Sequence, residues 1–378
     1  VVRVAAAAFI LDLFALAALI AAFVWQVRIL RVLDGPPSVK DVRSQGLHPV
    51  SVVLLLEDPD LDAEPSVASV LAQDYPELEL IVIDDRPGSR NRSASKRLAP
   101  DPRMKILQCG SAAKGWGRRP YAFALGYRET KHPWVLFMDD SVVLRANAMR
   151  RIMGAAWWRQ SDLVTLVPGL PATGHWERIF MPFVAQLALL AFPVRSVEER
   201  KPASLRSYGP IMLFRRSTYE AIGRHGAVRG EPLDDVAMIG SIQHRGYSAL
   251  FVRGQELAVV QTTTSFPRMW QAATTGFNEA FSGSLTRALG GALIILIVFA
   301  VPWLLMFPAL LLLSSPISAS PWTGALIAGA AHIAMSLTYR TLLKDTLGID
   351  RSLVMLQPVA ALTAAAILVA SHLGSGGS

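Results

Sequence analysis

Between residue 48 and residue 285, short apolar runs alternate with amphipathic stretches, and the alternation predicts an α/β domain. Strands are expected over 50–56, 78–83, 104–109, 134–138 and 163–168. Helices are expected over 64–73, 89–98, 121–130 and 146–159. This order implies a largely parallel sheet, and open sheets of that kind bind ligands beyond the carboxyl ends of their strands.

The two ends of the chain break the pattern. Residues 4–27 are apolar except for Asp12 and Gln26, long enough to cross a bilayer as a helix. The stretch is too long for a cleaved signal peptide and lacks a small-residue cleavage site. Residues 290–313 (with Pro302 and Pro308 inside), 321–337 and 353–373 are three further spans. The middle one is short and Ala/Gly-rich, and it reads equally as a buried soluble helix. An apolar fraction of 52% and a mean hydropathy of +0.36 exceed what a purely soluble enzyme carries.

Lys and Arg placement orients the spans. Arg28, Arg31, Lys40 and Arg43 follow the first span, against Arg3 before it. The connection 314–320 is uncharged, whereas Arg340, Lys344 and Arg351 stand between the third and fourth spans. Both termini are therefore expected outside, with the polar middle and the 340–351 loop in the cytoplasm. Segment 339–345 is expected along the bilayer surface. The resulting organisation is a membrane helix (1–30), an α/β domain (48–265), an interfacial amphipathic helix (266–288), further spans (290–373) and a Gly/Ser linker tail (374–378).

A net charge of +8 raises the question of nucleic acid, but the basic residues do not cluster with aromatics as in a nucleic-acid module. Anionic lipid headgroups account for it more simply. The single cysteine, Cys109, excludes an intrachain disulfide and zinc-knuckle spacing and reads as a buried structural thiol. After the first strand stands Glu57-Asp58-Pro59-Asp60 instead of a Gly-x-Gly-x-x-Gly fingerprint, and there is no P-loop, so hydride transfer and NTP hydrolysis are not favoured.

Three acidic pairs carry the candidate chemistry. Asp84-Asp85 and Asp139-Asp140 each end an apolar strand, and Asp234-Asp235 opens a helix-like stretch after Gly-Glu-Pro. Paired carboxylates at a buried strand tip repel and are costly to desolvate, so a cationic or hydrogen-bond-donating partner is expected. Asp84-Asp85 can accept hydrogen bonds from a nucleoside, or cap the turn that follows at Pro87-Gly88-Ser89. Asp139-Asp140 can hold a hard divalent cation bridging two phosphates, or cap with Ser141. Asp234-Asp235 suits a helix N-terminus in any protein, yet a carboxylate there can also deprotonate an acceptor hydroxyl. Gly115-Trp116-Gly117-Arg118-Arg119 is a basic turn fit for phosphate or for solvent. Phe266-Pro267-Arg268-Met269-Trp270 leads into an amphipathic helix that either lines a membrane-level site or anchors at headgroup depth.

In order, these pieces resemble the membrane-bound family 2 glycosyltransferases of GT-A fold. The resemblance runs through Val50-Ser51-Val52-Val53-Leu54, Ser69-Val70-Leu71-Ala72-Gln73-Asp74-Tyr75-Pro76 and Ile81-Val82-Ile83-Asp84-Asp85. It continues through Gly115-Trp116 with Arg119 and Ala122, then Phe137-Met138-Asp139-Asp140-Ser141-Val142 at the Asp-x-Asp metal motif. Ile211-Met212-Leu213-Phe214, Tyr219-Glu220-Ala221-Ile222-Gly223 and His225 follow, leading to Leu233-Asp234-Asp235. Arg268-Met269-Trp270 and Gly276-Phe277 look nearest to the bacterial carotenoid-acid and hopanoid-associated branch, with ceramide glucosyltransferase more distant. The resemblance implies inverting transfer of a hexose from a UDP- or GDP-linked donor to a lipid hydroxyl or carboxyl, at a bacterial inner membrane with the catalytic domain cytoplasmic. It implies Glu57, Asp84, Asp85, Arg119 and Asp139 at the donor nucleotide, Mg²⁺ or Mn²⁺ on Asp139 and Asp140, and Asp235 with Asp234 as the catalytic carboxylates. Arg268 and Trp270 would face the acceptor.

The chain departs from that pattern at four places. Ser141 stands at the second metal-motif carboxylate, Arg119 replaces Lys, Gly209-Pro210 replaces Gly-Gln, and Asp-Asp replaces Glu-Asp. Neighbours on a strand point to opposite faces, which separates Asp139 from Asp140, and Arg can grip phosphate through two donors. Two rivals stand beside the enzyme reading: a non-catalytic membrane subunit that keeps the fold, and a processive polysaccharide synthase. Three C-terminal spans and no clean Gln-x-x-Arg-Trp argue against the synthase.

Overall fold

The structure, a computed structural model, describes residues 2–32, 35, 37, 42, 46–86, 98, 100–171, 174–190, 210–231, 234–261, 266–267, 269–271, 273–274, 284–312, 319–349 and 351–373. Residues 89–97 of the helix expected over 89–98, Arg268, Gly209 and the 374–378 tail lie outside the described residues. The chain divides into two compact units, one of Val1–Arg28, Ala172–Leu190 and Thr262–Ser378, the other of Ile29–Pro171 and Ala191–Gln261.

The second unit is built on a mixed sheet. Strands β1 (Val50–Leu56), β2 (Leu78–Asp84), β3 (Met104–Gln108) and β4 (Trp134–Asp139) are all parallel, as expected. Beyond them lie β5 (Val142–Leu144), β6 (Leu163–Gly169), β7 (Ile211–Arg215) and β8 (Ala249–Val260), giving the order β3-β2-β1-β4-β7-β6-β8-β5. Here the pairing alternates: β7 is antiparallel to β4 and to β6, β8 is parallel to β6, and β5 is antiparallel to β8. The reversal starts where β7 begins, because the Asp139 N–H at the end of β4 donates to Pro210 at 3.1 Å and the chain then runs back.

Both faces of the sheet are covered, so β1 is buried along its whole length. Val50, Val52, Leu54 and Leu56 pack with Val67 and Val70 of α2 (Glu64–Leu71) and with residues such as Ile152 that α4 (Ala148–Arg159) brings in. On the opposite face lies α3 (Arg118–Tyr127), where a Cβ on Gly126 would sit 2.5 Å from Val53. Phe123, Phe137, Phe214, Tyr219 and His225 form an aromatic cluster on that side. Burying each such apolar side chain contributes about 1.5–3 kcal/mol. The chain then continues through α6 (Arg216–Ala221), a 3₁₀ turn (Arg224–Val228) and α7 (Asp234–His244).

The first unit is helical: α1 (Val2–Val32), α5 (His175–Leu190), α8 (Leu285–Phe299), α9 (Val301–Leu312), α10 (Ala319–Leu347) and α11 (Gln357–Leu373). Among the described residues, four stretches are long and apolar enough to cross a membrane: Ala6–Arg28, Leu285–Met306, Trp322–Leu347 and Val354–His372. The short span expected at 321–337 is the longest of these. The surface segment expected at 339–345 is instead continuous helix, with Arg340 buried and its guanidinium directed to Gln357 Oε1 at 3.4 Å. Gln357 also donates to Gln186 Oε1 at 3.3 Å, and Gln26 donates to the Gln186 carbonyl at 2.8 Å. Phe9 lies against Gly324 and Phe23 against Tyr339, so α1 and α10 run in the same direction. Parallel first and third spans are what four crossings with a domain after the first require. Helix α5 was not foreseen; it falls inside the segment expected to be one α/β domain, yet Phe180 and Phe183 pack among the membrane-length helices.

Candidate active site

Register places three strand ends level: Leu56 opposite Asp84 and Leu55 opposite Asp139. The ladder extends one residue further on each side, since Asp85 N–H donates to Leu56 O and Asp140 N–H to Leu55 O, both at 3.0 Å. Two of the three acidic pairs therefore share one rim of the sheet, as the sequence implied. Each meets basic side chains. Asp84 is gripped by Arg86 through Nε at 2.9 Å and Nη2 at 3.1 Å, and both side chains are buried. Asp85 is gripped by Arg118 through Nε at 3.0 Å and Nη2 at 2.8 Å, and Arg118 remains 65% exposed.

The glycine turn before α3 sets these arginines. Gly115 adopts φ +81°, which a side chain rarely tolerates, and the Gly117 N–H donates to Arg229 O at 2.6 Å. Successive residues of a helix diverge by about 100° around its axis. Arg118 therefore reaches Asp85, while Arg119 reaches Asp139 Oδ1 at 2.7 Å, Asp234 Oδ1 at 3.2 Å and Glu57 Oε2 at 3.7 Å. Its guanidinium also lies over the Phe123 ring, 4.9 Å from the centroid. One cation thus faces three carboxylates. Burial works against the charge of Arg119, but Asp139, Asp234 and Glu57 together hold it protonated. Burial pushes Asp139 and Asp234 above the usual carboxylate range, with Arg119 opposing in both.

Asp140 has a different employment. Its Oδ2 accepts from the Glu57 and Asp58 amides at 2.9 and 3.1 Å, and its carbonyl accepts from Ser66. Burial outweighs those amides and pushes the carboxyl up to about 6. Asp139 and Asp140 therefore do not fit a shared Mg²⁺ or Mn²⁺ in this arrangement: one carboxylate is on Arg119 and the other ties down the loop after β1. Among the described residues, no three His, Cys, Asp or Glu side chains converge in metal-binding geometry.

Asp234 and Asp235 open α7, where two carboxylates meet the positive end of the helix. Asp234 is buried and joins the Arg119 cluster; Asp235 is partly exposed, with Oδ1 accepting from Val236 N–H at 2.8 Å. Asp235 lies near enough to Asp139 and Asp234 to raise both. Five expected residues, Glu57, Arg119, Asp139, Asp234 and Asp235, are thus gathered. Trp270 belongs to the helical unit, where Phe266 stands 5.8 Å away.

Several participants were not foreseen as such. Arg86 and Arg118 pair with the rim carboxylates; both follow or precede an expected site residue, and charge balance alone points to them. Ser66 was invisible, being an ordinary helix residue in sequence. Cys109, expected to be buried, is half-buried; its N–H donates to Asp84 O at 2.9 Å, and its thiol is pushed up to about 12 by burial and by Asp85.

A family model described as "Glycosyltransferase like family 2" matches residues 63–276. No curated protein matches the chain in sequence. Among solved structures, the crystal structure of S. aureus TarS 1–349 is similar at a TM-score of 0.40 and 12% identity, with 86% of this chain and 92% of that chain covered. That score is too low to carry residue correspondences. The family match spans more than half of the chain and contains Arg119, both sheet-rim carboxylates of β4 and the Asp234-Asp235 pair. The chain belongs to the glycosyltransferase family 2-like proteins.

Proposed function

We propose that this protein transfers a sugar, with inversion, from a nucleotide diphosphate donor to the hydroxyl of a membrane lipid at the cytoplasmic face of a bacterial plasma membrane. The observation that carries the reading is Arg119, held by Glu57, Asp139 and Asp234 at the carboxyl edge of β1 and β4. A guanidinium fixed from behind by carboxylates cannot lose its proton and offers paired donors to a diphosphate. Asp84 and Asp85, backed by Arg86 and Arg118, would bind the nucleoside.

In the reaction the acceptor oxygen attacks the anomeric carbon opposite the leaving group. The bond from that carbon to the phosphate oxygen breaks, and its electron pair leaves on the nucleoside diphosphate. Arg119 stabilises that developing charge, and Asp235 takes the acceptor proton. The four membrane-length helices favour a lipid acceptor and multi-pass insertion. Arg268 and Trp270 remain the residues proposed for the acceptor side.

The non-catalytic reading draws support from the Asp84–Arg86 and Asp85–Arg118 pairs, which already satisfy the nucleoside carboxylates. Calorimetry of the detergent-solubilised protein with UDP- and GDP-sugars separates the two. Saturable binding in EDTA supports an arginine-held donor. Binding that needs Mn²⁺ contradicts the role given to Arg119, and no binding under either condition favours the subunit reading.

A further inference from the structure

Beneath the acidic cluster, two buried polar atoms face each other without a hydrogen-bond partner among the described residues. They are His225 Nε2 and Asp234 Oδ2, 3.9 Å apart. His225 is fully buried in an aromatic cage, its ring centroid 5.2 Å from Phe123, 4.7 Å from Phe137 and 5.5 Å from Tyr219. Gly223, at φ +94°, turns the chain so that His225 folds back on Tyr219. The His225 amide donates to Tyr219 Oη at 3.2 Å, and His225 Nδ1, 2.6 Å away, is the acceptor within reach of the buried hydroxyl proton among the described residues. Nδ1 is then the acceptor, and a neutral imidazole must carry its proton on Nε2, facing Asp234. Burial, with Arg119 adding to it, pulls the imidazole down to about 3, so the neutral form is the relevant one.

We infer that His225 is a positioning residue for the transfer: its Nε2–H closes onto Asp234 Oδ2 and fixes the carboxylate whose other oxygen aims Arg119 at the donor diphosphate. The inference rests on the proposed role of Arg119. The present 3.9 Å exceeds a hydrogen bond, and contacts of this kind tighten when a site is loaded. As Arg119 shifts toward an anionic donor, Asp234 loses part of its compensation, and the imidazole donor is placed to replace it. Tyr219 acts one step further back by selecting the tautomer.

The test compares His225→Gln, His225→Leu and Tyr219→Phe in the full chain, reading donor KM and kcat together with nitrogen-15 spectra of the imidazoles. His225→Leu should raise donor KM about ten- to a hundredfold. His225→Gln, which keeps a donor near the Nε2 position, should recover most of that loss. The wild-type His225 resonance, assigned by its disappearance in His225→Gln, should report an Nε2-protonated neutral ring, and Tyr219→Phe should shift it toward the Nδ1 form. Equal KM losses in the Gln and Leu variants overturn the inference, and so does an Nδ1-protonated ring in the wild type. Should the Leu variant fail to fold, the Gln and Phe variants carry the comparison. The tautomer is read without turnover, so failure of the transfer assay and failure of this inference remain distinguishable.

Discussion

Asp139 and Asp140 are neighbours on one strand end with unrelated partners: Asp139 Oδ1 lies 2.7 Å from the Arg119 guanidinium, while Asp140 Oδ2 accepts from two backbone amides. Alternation of side chains along a strand produces this division. It assigns the first carboxylate to the electrostatics of the site and the second to the shape of the loop carrying Glu57.

Asp140→Ala strands both amides and should lower stability by about 1–3 kcal/mol, read as a lower denaturation midpoint in detergent. Asp140→Asn retains an acceptor oxygen and sheds a buried charge, so at pH 7 it should be at least as stable as the wild type. Equal losses in the two variants would contradict the loop-tying role.

The same residue gives a pH dependence. Asp140 is raised from 3.8 to about 6 in the folded chain. Below pH 3.8 it is neutral folded and unfolded. Between there and about 6 the unfolded chain loses the proton first, so stability falls as pH rises, and the loss is complete above the folded value. The stability of Asp140→Asn relative to the wild type should therefore grow from pH 4 to 6 and level off at 7. A flat difference across that range would show that the carboxyl is not perturbed.

Arg119→Lys keeps a charge but loses the planar fork that meets three carboxylates and, in the proposed reaction, a diphosphate. Donor affinity should fall about tenfold or more by calorimetry. Unchanged affinity would place the diphosphate elsewhere.

How far the sequence carried these conclusions depends on the range of the interaction. Strands β1, β2 and β4 were legible because each is a continuous apolar run closed by acids, and their register then levels Asp84 and Asp139. Strands β5, β7 and β8 entered without local signals strong enough to predict their direction, since antiparallel return is set by contacts such as Asp139 to Pro210. Helix α5 was missed because the β-α alternation masked a helix that belongs to the other unit. The acids of the site were all named in advance. Of their arginine partners Arg119 was named as well, but Arg86 and the pairing of Asp85 with Arg118 were not, since pairing across 33 residues leaves no periodic trace.

Orientation in the membrane is testable with cysteines. In a Cys109→Ser background, Arg3→Cys and Lys105→Cys place thiols at an exposed end of α1 and on an exposed strand side chain. With the first span crossing once between them, an impermeant maleimide applied to intact cells should label the first and not the second. Labelling of both from the same side would contradict the crossing.

The most direct measurement follows a radiolabelled sugar from UDP- or GDP-linked donors into the organic-soluble lipids of inverted membrane vesicles. Wild-type protein should move label into lipid, and Asp235→Asn should slow that transfer by about two to four orders of magnitude. Undiminished transfer by Asp235→Asn, or no transfer from either donor class by the wild type, would contradict the account.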